Sequence, residues 1–231
     1  MLRVFGFFLL ALLLASVLRH VPLIGPLFSN TGVFGIFLAA ALLSFLFARY
    51  GERMLTARKL KNEIRALGAV ESAHNQGKLG SLLLARGRAR QALAPLERAA
   101  AGEPELAEWH YRLGLARLEL GDASGALGAF EACVAREEEH AYGSAMLRRA
   151  ECLQRLGRAA DALRVLELHE RNHGEGPEAS FRRGRALASL KRRPEARAAF
   201  DRAIDLAARA TRYQKAAATG WAVRARLARM F

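Results

Sequence analysis

A repeat of about 34 residues constrains this 231-residue chain more than any other feature of its sequence. The segment that begins at Leu79 aligns with the segment that begins at Leu113, at an offset of 34 residues. Two further copies follow, and each copy has one turn position. The turn positions are Gly87, Gly121, Gly157 and Lys191. Their spacings are 34, 36 and 34 residues, so the middle one implies a two-residue extension around Ala141 and Tyr142.

Small residues recur at fixed places in every copy and predict pairs of closely packed helices. The first helix of each pair carries Gly80, Gly114, Ala150 or Gly184. The second helix carries Ala92, Ala126, Ala162 or Ala196. Larger residues, predicted to fill the space between hairpins, are Leu96, Phe130, Leu166 and Phe200. One hairpin cannot bury its apolar face alone, so several must stack, and the expected fold is an all-α solenoid.

This pattern resembles the tetratricopeptide repeat over about residues 73–210, with some departures from the family pattern. The closing proline of the repeat is kept only as Pro104, and the nearest candidates for the first-helix aromatic are Trp109, Tyr111 and Phe181. The resemblance implies about four helical hairpins and a C-terminal capping helix at 211–231. The hairpins are expected at about 73–106, 107–140, 143–176 and 177–210.

In tetratricopeptide folds the first helices line a concave groove, and the resemblance implies which residues lie there. They are Tyr111, Leu115, Leu147, Glu151, Arg155, Phe181 and Arg185. Such a mixture of apolar and guanidinium groups suits an extended or helical peptide with acidic character. The alternative is that some of these side chains pack against the next hairpin instead. Where some family members grip a C-terminal carboxylate, this chain has Gly77 and Ser81, so that function is not implied.

Two apolar segments near the N-terminus predict a transmembrane hairpin at 1–48. Residues 31–48 contain no charged side chain, and 18 helical residues nearly span a hydrocarbon core of roughly 30 Å. The shorter run at 4–18 lies between Arg3 and Arg19, which can snorkel to opposite interfaces. A cleaved signal peptide is the rival interpretation. It is disfavoured because no small-residue cleavage site follows Leu18.

Basic residues after the second predicted span set the orientation of the chain. They outnumber Arg19, the one basic residue of the connecting loop other than His20, so both termini are expected in the cytoplasm. The large domain would then face the cytoplasm from a membrane, the bacterial inner membrane in our interpretation. Residues 49–72 read as a basic amphipathic helix that contacts lipid headgroups or caps the solenoid. The candidate headgroup contacts are Arg49, Arg53, Arg58, Lys59 and Lys61.

The sequence contains no motif for a nucleophile, a phosphate-binding loop or a metal site, so we predict no enzyme, no cofactor and no bound metal. Cys133 and Cys152 are isolated and read as small core residues. The dispersed histidines, which include His110, His140, His169 and His173, read as surface positions.

The combined hypothesis is a membrane-anchored scaffold whose concave face binds proteins and whose N-terminal hairpin contacts lipid. One alternative is an accessory factor of a membrane-associated pathway, for haem or the cell envelope, because the architecture resembles HemY-like proteins. The other alternative is nucleic-acid binding, suggested by the net charge of +14. The arginines usually sit beside Glu or Asp, which favours a solvated face over a nucleic-acid surface.

Overall fold

The computed structural model describes residues 44–45, 47, 49–50, 62–69 and 71–230, and it divides the chain into two units after Arg65. Within the described residues there is no strand. The second unit, Ala66–Phe231, contains nine helices with defined bounds among the residues described. They are α1 (Ala73–Leu84), α2 (Ala89–Gly102), α3 (Ala107–Glu119), α4 (Ala123–Arg136), α5 (Ser144–Arg155), α6 (Ala159–His173), α7 (Pro177–Ser189), α8 (Arg193–Ala208) and α9 (Lys215–Arg229).

The first eight helices pack as four consecutive hairpins, and each hairpin closes through one left-handed residue. The four left-handed residues are the predicted turn positions Gly87, Gly121, Gly157 and Lys191, with φ of 70°, 86°, 75° and 61°. Glycine adopts this conformation without a steric penalty, whereas a lysine in the same conformation is strained. The all-α solenoid that the repeat predicted is therefore confirmed.

Within three hairpins a large side chain of the second helix fills a hollow left by glycine on the first. A Cβ added to Gly80 would lie 2.4 Å from Cγ of Leu96, and one added to Gly184 would lie 2.5 Å from Cε1 of Phe200. Gly114 stands in the same relation to Phe130. These large side chains thus pack inside their own hairpins, and Phe130 and Phe200 also contribute to the core between hairpins that the sequence predicted for them.

The connection between the second and third hairpins carries the longest left-handed stretch among the described residues. Ala141, Tyr142 and Gly143 have φ of 51°, 54° and 73° in succession. The hydroxyl of Ser144 donates to the carbonyl of Ala141 over 2.7 Å and holds this turn against the start of α5. The two extra residues of the 36-residue spacing lie in this connection.

Helix α9 packs against α8 and α7 and covers the last hairpin. Its Trp221 ring is 5.5 Å from the ring of Phe181, between centroids. The guanidinium carbons of Arg182 and Arg224 lie 5.3 and 4.5 Å from the Trp221 centroid. The capping helix is therefore joined to α7 by an aromatic contact and a cation–π contact.

Most of the predicted membrane hairpin lies outside the described residues. This holds for all of 4–18, while 31–48 is described only at residues 44, 45 and 47. Arg49 is helical and exposed, and the other candidate headgroup contacts, Arg53, Arg58, Lys59 and Lys61, lie outside the description. Among the residues that are described, no helix has the length and apolar character needed to cross a bilayer.

Candidate protein-binding groove

Four of the seven predicted groove residues line one cleft between α5 and α7. Glu151 and Arg155 come from α5, and Phe181 and Arg185 come from α7. Residues four apart on a helix share a face, so each helix contributes a stripe to this cleft. Gln154 and Arg182 complete its lining, and its volume is about 110 Å³.

A hydrogen-bonded network of charged groups connects the two helices beneath the cleft. Glu151 accepts hydrogen bonds from Arg148 (2.9 Å), Arg155 (2.7 Å) and Arg182 (2.9 Å). Arg182, only 5% exposed, also donates to Glu178 over 2.7 Å. Burial by itself would raise the pKa of Glu151. The three arginines outweigh it, so the pKa lies below its ordinary value.

The cleft and its network together carry an excess of positive charge. Four arginines are present, at 148, 155, 182 and 185, against the two carboxylates of Glu151 and Glu178. The guanidinium of Arg185 makes no salt bridge or hydrogen bond within the described part of the chain. The surface of the cleft is therefore suited to a ligand that brings carboxylates.

Leu147, a fifth predicted groove residue, lines a second and larger cavity. This cavity has a volume of about 450 Å³ and is bounded by the N-terminal ends of α5 and α7, the C-terminal end of α8, and α9. Its walls are largely apolar and include Pro177, Leu206 and Trp221. Leu147, Glu151 and Arg155 follow one another at four-residue intervals along α5. The two cavities therefore lie at successive positions along one face of this helix.

The remaining two predicted groove residues, Tyr111 and Leu115, line neither cavity. The ring of Tyr111 packs edge-on against Phe130, with 5.8 Å between centroids, and both Tyr111 and Leu115 are half-buried against the core. Phe181 lines the cleft but is only 9% exposed, because it also packs against Phe200 and Trp221. Tyr111 and Phe181 therefore pack largely in the core, as the alternative interpretation of the groove residues predicted for some of them.

Gln154, Arg182 and Trp221 are parts of this surface that the sequence did not predict. Arg182 follows Glu178 by four residues, a spacing typical of an ion pair on one helix face, which could have drawn attention to it. Nothing in the local sequence pairs Arg182 with Glu151, since that contact joins residues on two different helices. Trp221 lies within the predicted capping helix at 211–231, and nothing in the local sequence indicates that it also lines a cavity.

Comparison with known proteins identifies the family. A sequence model of the tetratricopeptide repeat matches residues 78–141, 111–174 and 147–211, which together cover more than half of the chain. The chain belongs to the tetratricopeptide repeat family. Members of this family generally act as scaffolds for protein–protein interaction. A search of the curated proteins found no match.

Solved structures share the tetratricopeptide fold at low sequence identity. The fragment of MamA from residue 41 to the end, from Desulfovibrio magneticus RS-1, is 21% identical with a TM-score of 0.55, covering 70% of this chain and 97% of that one. TTC0263 of Thermus thermophilus, a thermophilic TPR protein, is 19% identical with a TM-score of 0.57, covering 79% and 97%. YrrB, titled a TPR protein with an unusual peptide-binding site, is 20% identical with a TM-score of 0.60, covering 68% and 83%. These similarities show the fold.

The side chains of His140 and His173 in this tetratricopeptide solenoid are only 12% exposed, and the prediction that the dispersed histidines lie at the surface is wrong for His169. It is only 6% exposed, its ring centroid lies 4.8 Å from that of His173, and it lines the larger cavity. Burial, with a smaller effect from His173, lowers the pKa of His169 to about 4. Its Nδ1 is buried without a hydrogen-bond partner within residues 71–230.

Both cysteines of the solenoid are free thiols in the core. Cys133 and Cys152 have no accessible surface, and burial raises the pKa of each to about 12. A thiol with so high a pKa is a poor nucleophile at neutral pH. In the described part of the chain, no three side chains of His, Cys, Asp or Glu are grouped in a way that could hold a metal ion.

Proposed function

We propose that this protein is a membrane-anchored scaffold that binds an acidic segment of a partner protein in the cleft between α5 and α7. The observation that carries the proposal is the excess of arginine at that cleft, with the guanidinium of Arg185 making no ion pair among the described residues. A carboxylate brought by a partner can pair with Arg155 and Arg185. The buried ion network below keeps their helices in place.

The distribution of the other arginines supports a protein partner over a nucleic acid. A nucleic-acid surface needs basic side chains that are available to phosphates. Here many arginines pair with carboxylates at separate places on the solenoid. Examples are Arg117 with Glu97 at 3.0 Å, Arg112 with Glu108 at 2.6 Å and Arg183 with Glu170 at 3.0 Å.

The membrane part of the proposal rests on the sequence. Two apolar segments at 4–18 and 31–48 and the basic flank after residue 48 favour a hairpin in the membrane, with the solenoid in the cytoplasm. Such an anchor would hold the groove close to the bilayer, where it recruits or positions its partner. The alternative roles in haem or envelope synthesis rest on the architecture of the sequence alone.

A crosslinked pulldown from solubilised membranes, with the full-length chain as bait, tests the proposal. The decisive variant is Arg155→Glu with Arg185→Glu, which reverses the charge of two of the three arginines that line the cleft. Its control is Arg197→Glu, because Arg197 is exposed on α8 and lines neither cavity. We expect a reproducible set of partners that is lost with the double variant and kept with the control. The same set from all three baits would refute the proposal, and complexes sensitive to nuclease would favour the nucleic-acid alternative.

A further inference from the structure

The face that α5 and α7 present has two ends with different chemistry. At the end near Leu147 lies the apolar cavity of about 450 Å³, and at the end near Arg155 lies the basic cleft of about 110 Å³. The network of Glu151, Arg182 and Glu178 belongs to both helices and connects the two ends, since Glu151 and Arg182 line the cleft and Glu178 lines the cavity. A partner that follows this face meets apolar walls first and guanidinium groups second, or the reverse.

The apolar end has the dimensions and the walls of a pocket for a bulky side chain. Leu147, Pro177, Leu206, Ala217 and Trp221 contribute to its walls. Trp221 is fixed there by the ring of Phe181 and by the two guanidinium groups stacked on it. An aromatic or large aliphatic side chain that enters this cavity exchanges water for a rigid apolar surface, which is the usual character of an interface anchor.

Hydrogen-bond donors at the apolar end indicate the conformation of the partner. The first turn of α7 lines the cavity, and α7 has no side-chain cap. The backbone N–H groups of Glu178 and Ala179 make no hydrogen bond within residues 71–230. His169, which is more than nine-tenths buried in the same wall, has an Nδ1 without a partner in the described chain; in the neutral imidazole this nitrogen donates in one tautomer and accepts in the other. The two free backbone N–H groups need carbonyl oxygens, which an extended segment has available along its whole length, whereas a helix leaves free only those of its last turn.

The spacing of the two ends follows from the geometry of α5. Leu147 and Arg155 are eight residues apart on this helix, which corresponds to a rise of about 12 Å. An extended chain advances about 3.3 Å per residue and covers this distance in roughly four residues. A helical partner would need about eight residues for the same distance.

We propose that the groove binds an extended segment whose bulky apolar side chain enters the cavity at Trp221 and whose carboxylates, about four residues away, pair with Arg155 and Arg185. The inference rests on the proposed function, because it specifies the partner of the same groove. It adds the apolar anchor, the extended conformation and the spacing between anchor and acid.

Fluorescence anisotropy with labelled synthetic peptides tests these additions on the full-length protein in detergent. The reference peptide has a Gly/Ser background, one Phe and, four residues later, two Glu. A second peptide has the reverse order. Whichever of the two binds more tightly is the parent of the comparison peptides. Comparison peptides replace Phe with Ala, replace both Glu with Gln, or separate Phe and Glu by eight residues. We expect each of the three changes to weaken binding by about tenfold.

Two protein variants assign each end of the peptide to one end of the groove. Ala217→Phe fills the apolar cavity from its exposed position on α9, and Ala216→Phe, also exposed on α9 but outside the cavity, is its control. Arg185→Gln removes a charge from the basic cleft, and Arg197→Gln is its control. We expect Ala217→Phe to weaken binding of the peptide that contains Phe but not of the peptide in which Ala replaces it. We expect Arg185→Gln to weaken binding of the peptide that contains Glu but not of the peptide in which Gln replaces it. Added salt should weaken only the peptides that contain Glu.

Equal binding of all the peptides, or no binding by any of them, would overturn the inference. Tighter binding of the eight-residue spacing would overturn the extended conformation in favour of a helix. These failures are distinct from failure of the proposed function. If the peptides do not discriminate but the pulldown still depends on Arg155 and Arg185, the groove is a protein-binding site with a different partner chemistry. If the pulldown does not depend on them, the proposed function is wrong.

Discussion

Close contact between glycine and a large side chain holds the hairpins together at the scale of single residues. Gly184 on α7 faces Phe200 on α8, and no room remains for a methyl group, since an added Cβ would lie 2.5 Å from the ring. Gly220 on α9 is also helical, but a Cβ added there would meet no heavy atom within 4 Å. The same substitution at the two positions therefore has opposite expected effects.

We expect Gly184→Ala to lower the free energy of unfolding by about 1–3 kcal/mol, because the ring of Phe200 or the helix must move. Gly220→Ala should raise it by about 0.5–1 kcal/mol, because alanine loses less backbone entropy in a helix. Urea unfolding followed by circular dichroism measures both. Stabilisation by Gly184→Ala would show that the hairpin is less tightly packed than the structure describes.

The buried imidazole of His169 predicts a dependence of stability on pH. Burial lowers its pKa from 6.5 to about 4, so between these values the unfolded chain binds a proton that the folded chain does not. Stability should therefore fall as the pH falls from about 6.5 to about 4, by up to about 3 kcal/mol from this group. His169→Gln should remove this contribution to the slope of the free energy of unfolding against pH. His110→Gln is the control and should leave that slope unchanged. Unfolding curves at pH 4.5 and 7.5 measure the difference, and an unchanged slope in His169→Gln would contradict the assignment.

At the scale of the elements, the four hairpin turns place three glycines and one lysine in the same left-handed conformation. Lys191 adopts φ of 61° between α7 and α8, where Gly87, Gly121 and Gly157 stand in the other hairpins. A left-handed conformation costs an L-residue with a Cβ about 1–2 kcal/mol. Substitution by glycine would remove this strain and so stabilise the folded chain. The greater entropy of glycine in the unfolded chain would offset part of that gain.

We therefore expect Lys191→Gly to stabilise the protein by about 0.5–1 kcal/mol. The reverse substitution, Gly157→Lys, should destabilise it by about 1–2 kcal/mol, since it places a side chain in the same strained conformation. Thermal unfolding of both variants is the measurement. A destabilised Lys191→Gly would mean that the lysine side chain makes a compensating contribution.

The elements differ in how far their sequences predicted them. The turn glycines, the small residues and the 34-residue period were enough to predict helical hairpins, because each depends on local sterics that recur in every copy. The role of Phe200 needed the tertiary structure, since a phenylalanine of this spacing can pack inside its hairpin or between hairpins. The burial of His169 needed it too, because the connection at Gly143, which lies against it, becomes its neighbour only when the hairpins stack.

At the scale of the whole molecule, the proposed anchor predicts how the chain partitions between membrane and solution. We expect the full-length protein to stay with the membrane after extraction at alkaline pH, because two spans would have to leave the hydrocarbon together. A chain that begins at Arg49 should be released. Leu38→Arg places a charge in the second predicted span, at a cost of about 2.5–3.5 kcal/mol for insertion, and should reduce the retained fraction. Release of the full-length protein would contradict the anchor.

The sequence by itself determined the repeating helical hairpins, their turns, the family and the division between an apolar N-terminal part and a polar remainder. These features depend on period, composition and local backbone sterics, which can be read along the chain. Only the tertiary structure decided which predicted groove residues line a cleft, that Arg182 connects Glu151 with Glu178, and that Trp221 closes an apolar cavity beside Leu147. These contacts join residues on different helices, and their geometry depends on how the hairpins stack.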